Sequence, residues 1–154
     1  MTFDAEIREL GAFLELFLLD PMLAPTIQAE LAQRCADDQG LEPWPTLWEL
    51  LMDYGYTWAL PWHTDPADTA YGLRVLWESS GLLPAAFPAP PATSPSAEHL
   101  VRAFGAQVRA QPQQVVLSSL YEDSDYVVLA FTKATTFVAA QQAAASAEGE
   151  LEMV

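Results

Sequence analysis

A histidine and two carboxylates fall within one short stretch, His63-Thr64-Asp65-Pro66-Ala67-Asp68. These donor types hold divalent metals or move protons in acid–base catalysis. The same spacing has an architectural use: Asp65 ahead of Pro66 suits a helix N-cap, and Asp68 suits the positive end of the helix that follows. A second acidic run, Glu122-Asp123-Ser124-Asp125, offers oxygens to Ca²⁺ or Mg²⁺. A hard ion takes about six to eight such ligands from a defined loop, however, and no glycine-containing EF-hand pattern follows. A polar hairpin turn accounts for the run more simply. Ser118, Ser119 and Cys35 have no histidine at a recognisable motif distance, which argues against nucleophilic catalysis. No Gly-Xaa-Gly-Xaa-Xaa-Gly, P-loop or His-Glu-Xaa-Xaa-His occurs. The expectation is therefore a chain with no catalytic residue, no metal and no cofactor. A small hydrolase or metal-binding domain around His63, Asp65 and Asp68 is the competing possibility.

Binding chemistry is better supplied. The chain carries 21 acidic against 6 basic residues, net −15, yet 51% of it is hydrophobic and 11% aromatic. Disordered acidic segments lack that apolar content, so this sequence folds. Its surface repels nucleic acid and anionic lipid and attracts cationic proteins over a Debye length of ~8 Å. The charge is uneven: residues 1–68 hold 13 acidic and 2 basic residues, residues 69–112 hold 2 and 3, and residues 113–154 hold 6 and 1. Asp37, Asp38 and Glu42 in the first of these regions, and Glu122, Asp123 and Asp125 in the last, are the candidate contacts for a basic protein partner. Five tryptophans lie between positions 44 and 77. Most belong to a core. Trp44 and Trp62, each beside a proline, would become interface anchors if exposed. His99, Arg102 and Arg109 lie on one helical face and suit a solvated surface. Display of carboxylates at phosphate-like spacing, as in a nucleic-acid mimic, is a further alternative for the acidity.

These residues must be positioned by a mixed architecture. Helical periodicity runs from about Phe3 to Leu19, with Ile7, Leu10, Phe13, Leu14 and Phe17 inward. A second helix starts near Pro25, stacks Ile27, Leu31 and Cys35, and stops at Gly40. A third is announced by the capping box Thr46-Leu47-Trp48-Glu49 and ends at Gly55. Alternation then predicts a strand over Tyr56–Trp62, an edge strand because Pro61 lacks an amide donor. Asp65 caps a helix carrying Leu73, Leu76 and Trp77, and Gly81 ends it. Residues 84–95 hold five prolines and form an extended connector within a single domain spanning 1–154. A helix follows from about Pro95 to Ala110. The strands Val115–Leu120 and Tyr126–Phe131 flank the acidic turn as a hairpin. Thr132 is placed to cap an alanine-rich helix, and Glu150–Val154 alternates as a last strand. Gly40, Gly55, Gly81 and Gly149 each follow a helix, where a left-handed cap calls for glycine.

The fold class is thus α+β, an N-terminal helical layer on a mostly antiparallel four-stranded sheet. The order β-α-α-β-β-α-β matches a split βαβ, ferredoxin-like sheet with additional helices. In that topology the first strand is central, which conflicts with Pro61, so the strand order stays open.

A single cysteine and the absence of asparagine exclude an internal disulfide and N-glycosylation. With no basic leader and no apolar span, they predict a cytoplasmic protein without membrane contact. The segments Leu50–Tyr56, Trp62–Pro66 and Ser124–Leu129 resemble those of a family of small acidic bacterial proteins of unassigned function, some of which look like immunity proteins of contact-dependent toxin systems. The resemblance extends over the C-terminal two thirds and transfers no catalytic residue. It implies a non-catalytic, immunity-type protein neutralising a cationic toxin or other basic partner.

Overall fold

Every α-helix but the last begins where the sequence supplies a capping oxygen or a proline. The computed structural model describes residues 2–91 and 93–154. α1 (Phe3–Phe17) starts at Thr2, whose hydroxyl accepts from the Ala5 amide. A 3-10 turn at Pro21–Leu23 leads into α2 (Ala24–Asp37). Ile27, Leu31 and Cys35 line its buried face as the spacing predicts. Burial pushes the Cys35 thiol up from its ordinary pKa. α3 (Pro43–Asp53) begins three residues before the predicted capping box, which does not form. Pro43 and Pro45 remove two first-turn amides, so fewer orphan donors need a cap. The Thr46 hydroxyl instead donates to the Glu42 carbonyl at 2.7 Å.

β1 (Trp58–Pro61) is shorter than predicted. The buried Thr57 hydroxyl donates to the Trp48 carbonyl, and Tyr56 leaves the strand to stack on Tyr54 with centroids 6.2 Å apart. α4 (Pro66–Ser79) has Asp65 as its cap, accepting from the Asp68 amide at 2.9 Å. The connector is tied down in part. It opens with a 3-10 turn at Pro84–Ala86, and the Phe87 ring packs on Trp77 and Phe104. Ala92, within it, lies outside the described residues. α5 (Ala97–Arg109) is capped by Ser96. β2 (Val115–Glu122) and β3 (Tyr126–Lys133) form the predicted hairpin. Thr132 is not a helix cap: it stays in β3, buried, with its hydroxyl 2.9 Å from that of Ser118. α6 (Phe137–Ser146) starts after Thr136, whose hydroxyl donates to the Leu16 carbonyl of α1. β4 is Glu152–Met153.

Left-handed backbone occurs at Gly55 and Gly81. After α6 it is Glu148 that adopts it, and Gly149 is needed for another reason: a Cβ there would run into the Trp44 ring.

The sheet order is β1-β3-β2-β4, and all three pairings are antiparallel. The run β1-β3-β2 is the one a ferredoxin-like sheet contains, but β4 joins beside β2 rather than beside β1. Pro61 therefore sits on an edge strand. The placement of β4 also decides the layering. β1 reaches β2 through α4 and α5, and β3 reaches β4 through α6. The two crossovers step the same way across the sheet from oppositely directed strands, so equal handedness puts their helices on opposite faces. Packing agrees. Val116, Leu120, Val128 and Ala130 face α1, α2, α3 and α6, whereas Leu117, Val127, Leu129 and Phe131 face α4 and α5. The α+β class, with the N-terminal helices packed on an antiparallel sheet, is present as expected. Among the described residues no helix is long and apolar enough to cross a membrane.

Candidate functional site

The histidine–carboxylate stretch does not converge. Asp65 is occupied in capping α4, His63 lines a groove beside α3, and Asp68 lines a different groove beside α4. No group of three or more metal-ligating side chains comes together among the described residues. The three residues of the metal-site alternative, His63, Asp65 and Asp68, are thus not brought together: the start of α4 leaves Asp68 beside one groove while the preceding turn leaves His63 beside the other. Ser118 is fully buried and bonded to Thr132 and the Ala130 carbonyl, so its hydroxyl serves the sheet.

The acidic hairpin is organised by one of its own carboxylates. Asp123 accepts from the Asp125 amide at 2.8 Å, the Tyr126 amide at 2.9 Å and the Tyr121 hydroxyl at 2.8 Å. The Tyr126 amide, followed by the Tyr121 hydroxyl and the Asp125 amide, holds Asp123 below the usual carboxylate range. The Tyr121 hydroxyl is pushed up to about 12, chiefly by its bond to Asp123. A depressed carboxyl contributes stability that is present above its unfolded pKa and lost as pH falls through the folded one. A raised phenol contributes below its ordinary value and is lost as pH rises toward 12. The expected result of following the Tyr121 ring carbon by NMR is ionisation near 12. Asp123→Asn should bring it down toward the ordinary tyrosine value. An unmoved Tyr121 would mean that Asp123 is not the cause.

Of the other candidate contacts, Glu122 pairs with Arg102 at 3.1 Å, which Glu98 also engages. Asp37 accepts from Gln33 within the last turn of α2, and Asp38 from the Gly40 amide in the α2–α3 connection. Glu42 lines a separate recess with Glu6 and Glu148. Trp44 is not an exposed anchor. It is 8% exposed, donates to the Leu120 carbonyl at 2.9 Å and stands edge-on to Phe13. Trp62 is half-buried, and its indole donates to the Asp123 carbonyl at 3.0 Å, which leaves it a brace for the hairpin turn.

What the fold does assemble is a groove of about 630 Å³ between α3 and the hairpin end of β1. Trp48, Met52 and Tyr126 supply apolar walls, Ala59 and Pro61 the floor, and Glu49, Asp125 and His63 the polar rim. A register shift in β2 between Ser119 and Tyr121 turns Tyr121 toward the α3 face, where Trp48, Tyr121 and Tyr126 contact one another at centroid separations of 5.3–6.4 Å. The Trp48 indole N–H is buried with no hydrogen-bond partner among the described residues. Neither lysine nor arginine is among the groove's lining residues. The chemistry of such a lining is suited to a cationic side chain, with aromatic and aliphatic surface for an alkyl stem and two carboxylates for its head. Sequence spacing singled out Asp125 and His63. It assigned Glu49 to a capping box and Tyr126 to the sheet, although Trp48 and Met52, one helical turn apart beside Glu49, were a usable sign of an amphipathic wall.

Compared with protein-family models, curated proteins and solved structures, the chain matches none.

Proposed function

We propose that this chain is a non-catalytic binding protein for a basic protein partner, acting in the manner of an immunity protein that occludes a cationic toxin. The observation that carries the proposal is the groove between α3 and the hairpin, where Glu49 and Asp125 rim an aromatic wall and neither lysine nor arginine is among the lining residues. The net charge of −15 draws a basic partner from solution, and the groove gives it a place to dock. The α2–α3 acids Asp37, Asp38 and Glu42 add to the field without belonging to the groove.

The test is kinetic. A partner trapped by a photo-crosslinker at position 63 is purified, and its association is measured at low and high salt. Association should slow steeply with salt, and Glu49→Lys with Asp125→Lys should slow it by about tenfold or more. Glu78→Lys with Glu98→Lys, in the nearly neutral middle of the chain, should do far less. A rate indifferent to salt and to the Glu49 and Asp125 reversals would sink the proposal and leave the acidity as a solubility feature.

A further inference from the structure

The outer edge of β1 is open at Ala59. Antiparallel pairing alternates between residues whose backbone groups face the partner strand and residues whose groups face away. The Trp62 amide donates to the Asp125 carbonyl at 2.9 Å. With the observed register, Leu60 and Trp58 therefore also face β3, and the N–H and C=O of Ala59 point out of the sheet. Ala59 has no backbone or side-chain hydrogen-bond partner on that side among the described residues. Pro61, the next outward residue, has no N–H, and its carbonyl already accepts from Thr64 at 3.1 Å. Within Trp58–Pro61 the edge thus presents one free donor–acceptor pair, at Ala59, which favours a register for anything that pairs with it.

This edge is flanked by a groove on each face of the sheet. On the α3 side lies the acidic-rimmed groove beside Ala59 and Pro61. On the α4 side a second groove of about 450 Å³ runs past Trp58, Asp68, the exposed Tyr71 and Val75. Gly72 leaves room there for the Trp58 ring. Met52 lines both grooves, and its flexible thioether can yield to an incoming chain. A strand added at Ala59 sends successive side chains to opposite faces, hence alternately toward the two grooves. The occupant's charge follows from the walls. Glu49, Asp125 and Asp68 are the charged lining residues, with neither lysine nor arginine in either groove. A second copy of this chain, at net −15, is repelled from such an edge.

We propose that the partner enters as an extended, lysine- or arginine-bearing segment that adds to β1 at Ala59 as a fifth strand, with alternate side chains in the two grooves. The proposal rests on the basic-partner function above and specifies how the partner is held.

The probe is a short peptide of alternating lysine and valine, titrated into the whole protein by isothermal calorimetry and amide hydrogen exchange. Binding should protect the Ala59 amide. Ala59→Pro removes an N–H that the fold does not use, at an edge position that tolerates proline, and should weaken binding about tenfold. The same peptide N-methylated at the amides that face β1 should lose a similar factor on the unaltered protein, which keeps the test independent of any folding defect in the variant. A glutamate–valine peptide should not bind. If the lysine peptide binds but ignores both Ala59→Pro and N-methylation while responding to Glu49→Lys with Asp125→Lys, strand addition is overturned and the basic-partner function stands. Binding of the glutamate peptide with equal affinity overturns the charge argument beneath both. No binding of the lysine peptide at millimolar concentration overturns strand addition, and the protein–protein kinetics then decide the function alone.

Discussion

Trp44→Ala should lower the free energy of unfolding by about 3–5 kcal/mol, the range for deleting a large buried aromatic. The indole sits where four parts of the molecule meet. It belongs to α3, bonds to the Leu120 carbonyl of β2, meets Phe13 of α1 with centroids 5.2 Å apart, and fills the space left by the missing side chain of Gly149. Removing it leaves both a void and an unpaired carbonyl. Trp44→Phe keeps most of the volume and loses the hydrogen bond, so it should cost about 1–3 kcal/mol. Urea unfolding of the three proteins with a shared denaturant slope is the measurement. A loss below about 0.5 kcal/mol for Trp44→Ala, the size of an ordinary surface substitution, would place the indole outside the core.

The opposite face has its counterpart in Trp77→Ala, with an expected loss of similar size. Trp77 is fully buried, donates to the Leu83 carbonyl at 2.8 Å, and packs edge-on to Phe87 and Phe131. Leu83 and Phe87 bracket the start of the proline-rich connector, so the same indole ties the connector to α4 and β3. The variant should therefore become sensitive to elastase within residues 84–95 under conditions where the parent resists. Equal cleavage of both proteins, with a loss below about 1 kcal/mol, would show that the connector is held by other contacts.

Much of the architecture was legible in the chain because local chemistry and burial agree along it. Asp65-Pro66 begins α4, Ile27, Leu31 and Cys35 face inward, and the acidic turn joins two β-branched strands, all as the residues dictate. Errors arose where a residue had two good uses. Thr46 and Glu49 spell a capping box, but Pro43 starts the helix earlier and frees Glu49 to face the groove. Thr132 resembles a cap, yet its hydroxyl satisfies that of Ser118 inside the sheet. Trp44 beside prolines is a candidate interface anchor by sequence, but those prolines lie in the first helical turn and the indole is buried. The site itself was half visible. Asp125 and the general acidity are local properties, whereas the groove joins α3 to a hairpin more than seventy residues away in sequence, as the Trp44–Leu120 bond illustrates. The position of β4 was beyond the order of elements alone, since either edge of the sheet satisfies the same β-α-β grammar.

The helix that begins the described chain rests on the helix near its end: Thr136, at the head of α6, bonds to Leu16 of α1 across 120 residues. Closing so long a loop is entropically expensive and slow compared with forming a helix pair. During synthesis α1, α2 and α3 leave the ribosome with Phe13, Phe17 and Leu47 still uncovered, because the strands and α6 that cover them have yet to be made. For that interval the nascent chain presents an apolar helical layer to its surroundings, where its many carboxylates and their mutual repulsion oppose aggregation. The acidity concentrated in residues 1–68 then has a consequence for the birth of the protein, whatever it does in the folded state.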